Sequence, residues 1–148
     1  MFKRILAAID DSERAPGVFD AAAELAQQFG ATLYLVHVLT IAPEFPAAAA
    51  SSRADPLPAH LTRIAVAQLS ELSKRAPALS PTAPQIAVGQ PWRVILETAQ
   101  VLGVDLIVLG SHGYHGWDRV LGTTAGKVAN LADRNVFIVH ERRRGPTK

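Results

Sequence analysis

The chain has 148 residues, of which 49% are hydrophobic, so it can form one domain with a sizeable core. It has no cysteine, which excludes a disulfide, a thiolate metal site and a thiol nucleophile. No apolar run reaches the roughly 20 residues that span a bilayer, and the apolar stretch 5–9 is too short for a secretory signal, which favours a cytoplasmic protein without a membrane partner. The net charge is only +2 and much of the basicity lies in the tail 142–148, whereas nucleic-acid binding requires a basic face with interleaved aromatic residues.

The first part of the chain predicts a strand, a helix and a second strand. Residues 3–9 form an apolar strand, and Asp10-Asp11-Ser12 after it is a turn and helix-cap signal. Apolar residues recur at helical spacing over 15–29, and Gly30 is the stop signal of that helix. Residues 32–39 predict the second strand.

A loop and a second helix follow. Residues 40–58 hold four prolines among many alanines, which predicts a surface loop. Residues 61–75 predict a helix whose inner face carries Ile64, Leu69 and Leu72.

The rest of the chain predicts three strands and two helices, separated by proline or glycine signals. The strands lie at 85–88, 105–109 and 135–139, and a proline-rich connector at 77–84 precedes the first of them. The helices run from Gly89-Gln90-Pro91 to Leu102 and from Thr123-Thr124 to Ala132.

This alternation predicts an α/β fold. We expect one Rossmann-like domain over residues 1–141, with an open, parallel, five-stranded sheet of order 3-2-1-4-5 and helices on both faces. In such sheets, ligands bind beyond the carboxyl ends of the strands where the strand order reverses. Asp10 and Gly110 end strands one and four, so we expect them to flank that point.

A glycine-rich stretch follows the fourth strand. It reads Gly110-Ser111-His112-Gly113-Tyr114-His115-Gly116, and Gly122-Thr123-Thr124 follows with eight residues between Gly113 and Gly122. Glycines let the backbone approach a ligand and adopt positive φ, and the free N–H groups of a helix's first turn attract anions. The stretch 110–125 therefore predicts a nucleotide site built around phosphates.

These residues resemble the universal stress protein (UspA-like) family. The family has an Asp closing strand one and the pattern Gly-x2-Gly-x9-Gly-(Ser/Thr) after strand four. Here Asp10 lies in Ala-Ala-Ile-Asp-Asp-Ser, and Gly110, Gly113, Gly122 and Thr123 provide the second pattern with eight intervening residues instead of nine. The similarity covers residues 3–140.

The resemblance implies an ATP site, with magnesium carried by the phosphates. It implies that Asp10 accepts hydrogen bonds from the adenine or ribose edge and that Val38 packs on the base. The other implied contacts are Ala8 and Ile9 in the adenine pocket, Leu109 and Gly110 along the ribose, and His112, Gly113, Gly122, Thr123, Thr124 and Ala125 around the phosphates.

The resemblance also implies a homodimeric stress-response regulator or switch. Strand five is expected to pair with a second copy through its edge. No general base with an orienting partner lies near the loop, so we predict no dedicated enzyme and at most slow ATP hydrolysis. The edge residues are Val136, Phe137, Ile138 and Val139.

The principal alternative is a dimeric scaffold of the same fold that binds no nucleotide. The eight-residue spacing favours it, whereas the intact Gly-x-x-Gly and Gly-Thr-Thr elements favour binding. A response-regulator receiver domain is a further alternative, since Asp10-Asp11 and Ser111 suit it, but Gly89 follows strand three where the phosphoacceptor Asp belongs.

Overall fold

A computed structural model of the chain describes residues 1–40, 59–79, 82–111 and 121–140. In these ranges strands and helices alternate, as predicted, with ends that differ from the expected ones by at most two residues. Of the predicted surface loop only Thr40 is described, and the basic tail 142–148 lies outside the described residues. The strands are β1 (Arg4–Ala8), β2 (Thr32–Leu39), β3 (Gln85–Val88), β4 (Leu106–Gly110) and β5 (Asn135–Val139), and the helices are α1 (Ala15–Phe29), α2 (Ala59–Ser73), α3 (Pro91–Leu102) and α4 (Thr123–Leu131).

The strands form one sheet of order β3-β2-β1-β4-β5, with every neighbouring pair parallel. The predicted order 3-2-1-4-5 is confirmed. Ala8 of β1 lies opposite Val36 of β2, and Ala7 lies opposite Val108 of β4. The carboxyl ends of these three central strands therefore meet at the edge where the strand order reverses.

Helices cover both faces of the sheet. Because successive strand residues point to opposite sides, a single strand contributes side chains to both clusters. Ile5 and Ala7 of β1 pack in a cluster that includes α1 and Leu69 of α2. Leu6 packs on the other face in a cluster with α3 and Val128 of α4. Burial on both faces explains why residues 5–8 of β1 and residues 106–109 of β4 are continuously apolar rather than alternating.

The predicted helix stop at Gly30 is confirmed, and Gly103 ends α3 in the same way. Gly30 and Gly103 follow α1 and α3 with φ of 61° and 58°, in the left-handed region that favours glycine. Pro91 occupies the first turn of α3, where its missing N–H removes no helical hydrogen bond. No helix in the described ranges is long and apolar enough to cross a membrane.

The prediction that Ile64 lies on the inner face of α2 is wrong. Ile64 is 51% exposed, and the buried residues of this helix are Ala65 and Leu69. A helix turns about 100° per residue, so positions five apart lie about 140° from each other, whereas Ala65 and Leu69 lie about 40° apart. Leu72, as expected, packs against the core.

Candidate functional site

A cleft of about 1050 Å³ lies at the carboxyl ends of the central strands. Every predicted site residue in the described ranges lines it, although these residues come from four separate parts of the chain. His112 and Gly113 lie outside the described residues. The predicted residues that line the cleft are Ala8, Ile9, Asp10, Val38, Leu109, Gly110, Gly122, Thr123, Thr124 and Ala125.

The turn after β1 is organised by Asp10. Its Oδ1 accepts hydrogen bonds from the backbone N–H of Ser12 at 3.0 Å and from Ser12 Oγ at 2.5 Å. Ser12 Oγ in turn accepts from the backbone N–H of Arg14 at 3.3 Å. The carboxylate of Asp10 thus closes a turn on the residue two positions ahead, as Asp side chains commonly do.

The expectation that Asp10-Asp11-Ser12 supplies the helix cap is not met. Arg14 is the N-cap of α1, and no side chain makes a capping hydrogen bond there. The turn separates the Asp10 carboxylate from the first helical residue, Ala15. The Oδ1 atom of Asp10 therefore bonds within the turn and does not cap the helix.

Gly110 ends β4 beneath helix α1. A Cβ at this position would meet Val18 Cγ2 at 3.3 Å, which is closer than ordinary side-chain contact. Gly110 does not have a positive φ; among the described glycines only Gly30, Gly89 and Gly103 do. The close approach of Val18, not a left-handed turn, therefore explains the glycine at 110.

Ser111 joins the two ends of the glycine-rich segment. It is only 2% exposed, and its N–H donates to the carbonyl of Val139 at 3.0 Å. Its carbonyl accepts from the N–H of Gly122 at 2.7 Å. These hydrogen bonds place the start of α4 beside the ends of β4 and β5.

The N-terminus of α4 faces the cleft. Gly122 is its N-cap and Thr123 is the first helical residue, so Thr123 is not the cap although threonine commonly takes that position. Gly122 accepts the first helical hydrogen bond, from Gly126 at 2.8 Å. Thr123, Thr124 and Ala125 precede the donor of that first helical hydrogen bond, and the N–H groups of such a first turn form an end suited to an anion.

Charge is distributed unevenly around the cleft. Asp10, Asp11, Glu13 and Arg14 line it on the β1–α1 turn. Lys127 of α4 is directed elsewhere, since its Nζ lies 5.1 Å from the centre of the Trp92 ring. Carboxylates thus line one side of the cleft and a helix N-terminus lines another, an arrangement suited to a ligand with hydrogen-bond donors at one end and an anion at the other.

His37 was missed by the sequence predictions. It lines the cleft, is 7% exposed, and its Nδ1 lies 2.7 Å from the carbonyl oxygen of Ile9. A histidine near the carboxyl end of an apolar strand was the signal that could have identified it. The other lining residues that were not predicted are Asp11, Ser12, Glu13, Arg14, Val36, Leu39, Thr40, Pro91, Ile95 and Ser111.

Metal-binding side chains do not gather in this region. No group of three or more His, Asp or Glu side chains suited to a metal ion occurs in residues 1–40, 59–79, 82–111 and 121–140. Among the described lining residues, the hydrogen-bond donors are backbone N–H groups, hydroxyls and the Arg14 guanidinium, and the acceptors are carboxylates and carbonyls.

Known proteins share both the sequence pattern and the fold. Residues 1–140 match the model of the Universal stress protein family. Universal stress protein A homolog 1 of Coxiella burnetii is 34% identical over 142 residues, which cover 93% of this chain and 96% of that protein. The universal stress protein UspA from Lactobacillus plantarum has a similar structure, with a TM-score of 0.70 and 29% identity over 93% of this chain and 97% of its own.

A further solved structure is that of a universal stress protein in complex with cAMP. It is similar to this chain with a TM-score of 0.64 and 26% identity, over 94% of this chain and 97% of its own. The family match spans nearly the whole chain, and the solved relatives share its fold over more than nine-tenths of their length. The chain belongs to the universal stress protein family.

Proposed function

We propose that this protein binds an adenine nucleotide, with ATP as the principal ligand, in the cleft between the β1–α1 turn and the N-terminus of α4. One observation carries the proposal: predicted contacts from distant parts of the chain line a single cleft that ends at a helix N-terminus.

The chemistry of the cleft suits the two ends of a nucleotide. Ala8, Val38 and Leu109 supply apolar surface for a base, and the Asp10 carboxylate supplies an acceptor for amino or hydroxyl groups. At the other end, the free N–H groups of α4 and the hydroxyls of Thr123 and Thr124 are donors for phosphate oxygens. His112 and Gly113 are proposed to contact the phosphates as well, and magnesium is carried by the phosphates.

The comparison with a solved relative supports the ligand class. That relative is a universal stress protein in complex with cAMP, itself an adenine nucleotide, and it is 26% identical to this chain. The proposal extends from a cyclic monophosphate to ATP because the α4 N-terminus leaves several N–H groups for a longer phosphate chain.

We further propose that the protein is a cytoplasmic homodimer that acts as a stress-response regulator or switch, not as a dedicated enzyme, with slow ATP hydrolysis at most. The β5 edge, Val136 to Val139, is proposed as the dimer contact. Two features support it: β5 is the last strand of the sheet, and Phe137 on it is 44% exposed.

The first experiment identifies nucleotide that co-purifies with the protein. The full chain, purified without added nucleotide, is heat-denatured, and the supernatant is analysed by mass spectrometry against adenine-nucleotide standards. Bound ATP, ADP or AMP supports the proposal. An empty supernatant together with no heat on titration with millimolar Mg-ATP contradicts it and favours the nucleotide-free scaffold.

Site variants then assign the binding to this cleft. Asp10→Ala and Gly113→Val are each expected to weaken ATP binding more than tenfold, or about 1.4 kcal/mol. Asp20→Ala is the matched control, because it removes a carboxylate on α1 that does not line the cleft. Unchanged ATP affinity in both site variants would show that ATP binds at another place on the protein.

A further inference from the structure

His37 is a polar side chain buried within an apolar strand. It is 7% exposed, and Leu33 and Leu35, which alternate with it on the same face of β2, belong to the core. Burying an imidazole is unfavourable unless its nitrogens find partners. Nδ1 finds one in the carbonyl oxygen of Ile9, 2.7 Å away. A carbonyl oxygen only accepts hydrogen bonds, so Nδ1 carries the proton and the ring orientation is fixed.

His37 bonds to Ile9, which is the first residue after β1. The N–H of Ile9 donates to the carbonyl of Val36 at 2.9 Å, and its carbonyl accepts from His37. Both backbone polar groups of Ile9 are therefore bound by β2. The Ile9 carbonyl shares a planar peptide unit with the N–H of Asp10, so fixing that carbonyl also fixes the direction in which the chain enters Asp10.

We infer that His37 is a positioning residue of the ligand site: through the Ile9 carbonyl it sets the Ile9–Asp10 peptide, and with it the Asp10 carboxylate that the ligand contacts. The inference rests on the proposed function. The chain of contacts continues from Asp10 Oδ1 to Ser12 and from Ser12 Oγ to Arg14, so the bond from His37, together with the one between Ile9 and Val36, anchors the turn that lines this side of the cleft.

Two substitutions separate positioning from packing. His37→Leu keeps a side chain of similar volume in the core but leaves the Ile9 carbonyl without its side-chain donor. His37→Asn is smaller, but its amide N–H can take the place of Nδ1–H. If His37 only fills space, leucine is the better replacement; if it positions Asp10, asparagine is.

The test measures Mg-ATP affinity by calorimetry on the full-length protein, together with thermal stability. We expect His37→Leu to weaken binding about fivefold and His37→Asn to stay within about twofold of the unmodified protein. In an Asp10→Ala background, His37→Leu should have no further effect, because both substitutions act through the same carboxylate. Leu33→Ala, in the core of the same strand, should lower the melting temperature without changing affinity.

Two outcomes overturn the inference while leaving the proposed function intact: unchanged affinity in His37→Leu, or effects of His37→Leu and Asp10→Ala that simply add.

If the unmodified protein binds no ATP, the proposed function fails instead. The contact is then judged without ligand, from amide hydrogen exchange at Ile9. Faster exchange in His37→Leu but not in His37→Asn supports a positioning role for the turn, and equal protection in all three proteins refutes it.

Discussion

The carbonyl oxygen of Ser111 accepts a hydrogen bond from the N–H of Gly122 at 2.7 Å. The segment between these residues therefore starts and ends at one place, next to the end of β5. The position of the α4 N-terminus is set by this closure rather than by the number of residues between the two ends. The short spacing between Gly113 and Gly122 is thus compatible with an α4 N-terminus that faces the cleft.

Lengthening the segment should leave stability unchanged. Insertion of one serine between Gly116 and Trp117 restores the nine-residue spacing and raises the cost of loop closure by only about 0.1 kcal/mol. Urea denaturation of the two proteins should give free energies of unfolding that agree within error. A loss above about 1 kcal/mol would show that the segment's length is coupled to the fold.

Two glycines should respond oppositely to alanine. Gly89 has φ of 148°, and a Cβ there would lie 3.0 Å from Val94 Cγ2, so Gly89→Ala should destabilise the protein by about 1–3 kcal/mol. Gly126 lies within α4 with nothing within 4 Å of its would-be Cβ, so Gly126→Ala should stabilise by about 0.5–1 kcal/mol. Chemical denaturation measures both; a stabilised Gly89→Ala would contradict the strain at this turn.

Alanine substitutions in α2 should show which of its apolar residues belong to the core. Leu69 is 1% exposed, so Leu69→Ala should cost about 2–5 kcal/mol through the cavity it leaves. Ile64 is 51% exposed, so Ile64→Ala should change stability by less than about 0.5 kcal/mol. Similar losses from both substitutions, measured in urea, would refute this orientation of the helix.

The ion pair between Asp20 and Arg75 should contribute pH-dependent stability. Arg75 Nε and Nη2 bond the two Asp20 oxygens at 2.8 and 2.6 Å, tying α1 to the residues after α2. These hydrogen bonds, with the Arg75 charge adding to them and desolvation opposing, lower the pKa of the Asp20 carboxyl. Because the folded pKa is below the unfolded value of about 3.9, the stabilisation is complete above that pH and is lost as pH falls through the folded pKa.

The corresponding measurement compares Asp20→Asn with the unmodified protein in urea at pH 7 and at pH 3 and below. The variant should be slightly less stable at pH 7, since the pair is about half exposed, and the difference should fade as the pH is lowered. Glu24→Gln, an exposed carboxylate change on the same helix, should show no such trend. A difference that grows towards low pH would reverse the sign argued here.

The proposed dimer should depend on Phe137. Phe137→Glu places a charge on the β5 edge, where Phe137 is 44% exposed, and should convert the dimer to a monomer because the charge would be buried in the interface. Val101→Glu is the control, since Val101 is 85% exposed on α3. Light scattering after size-exclusion chromatography reports the mass; a Phe137→Glu protein that stays dimeric would place the interface elsewhere.

The parts of the fold that could be predicted depend on local signals. Strands buried on both faces are mostly apolar, and the glycines that end α1 and α3 take left-handed conformations that other residues resist. The site residues came from a resemblance, and the structure brings the described ones together in one cleft. Ile64 was misplaced because its apolar character says nothing of the angle at which α2 packs.

The sequence by itself determined the order of strands and helices, and with it the edge of the sheet where a ligand site is predicted, because these follow from periodicity, chain direction and the handedness of crossovers. Only the tertiary structure decided which groups meet there. The bond from His37 to Ile9 spans 28 residues, and Val18 of α1 crowds the space that a side chain at Gly110 would need. Such contacts depend on how strands and helices pack across the fold, and no local pattern in the chain encodes them.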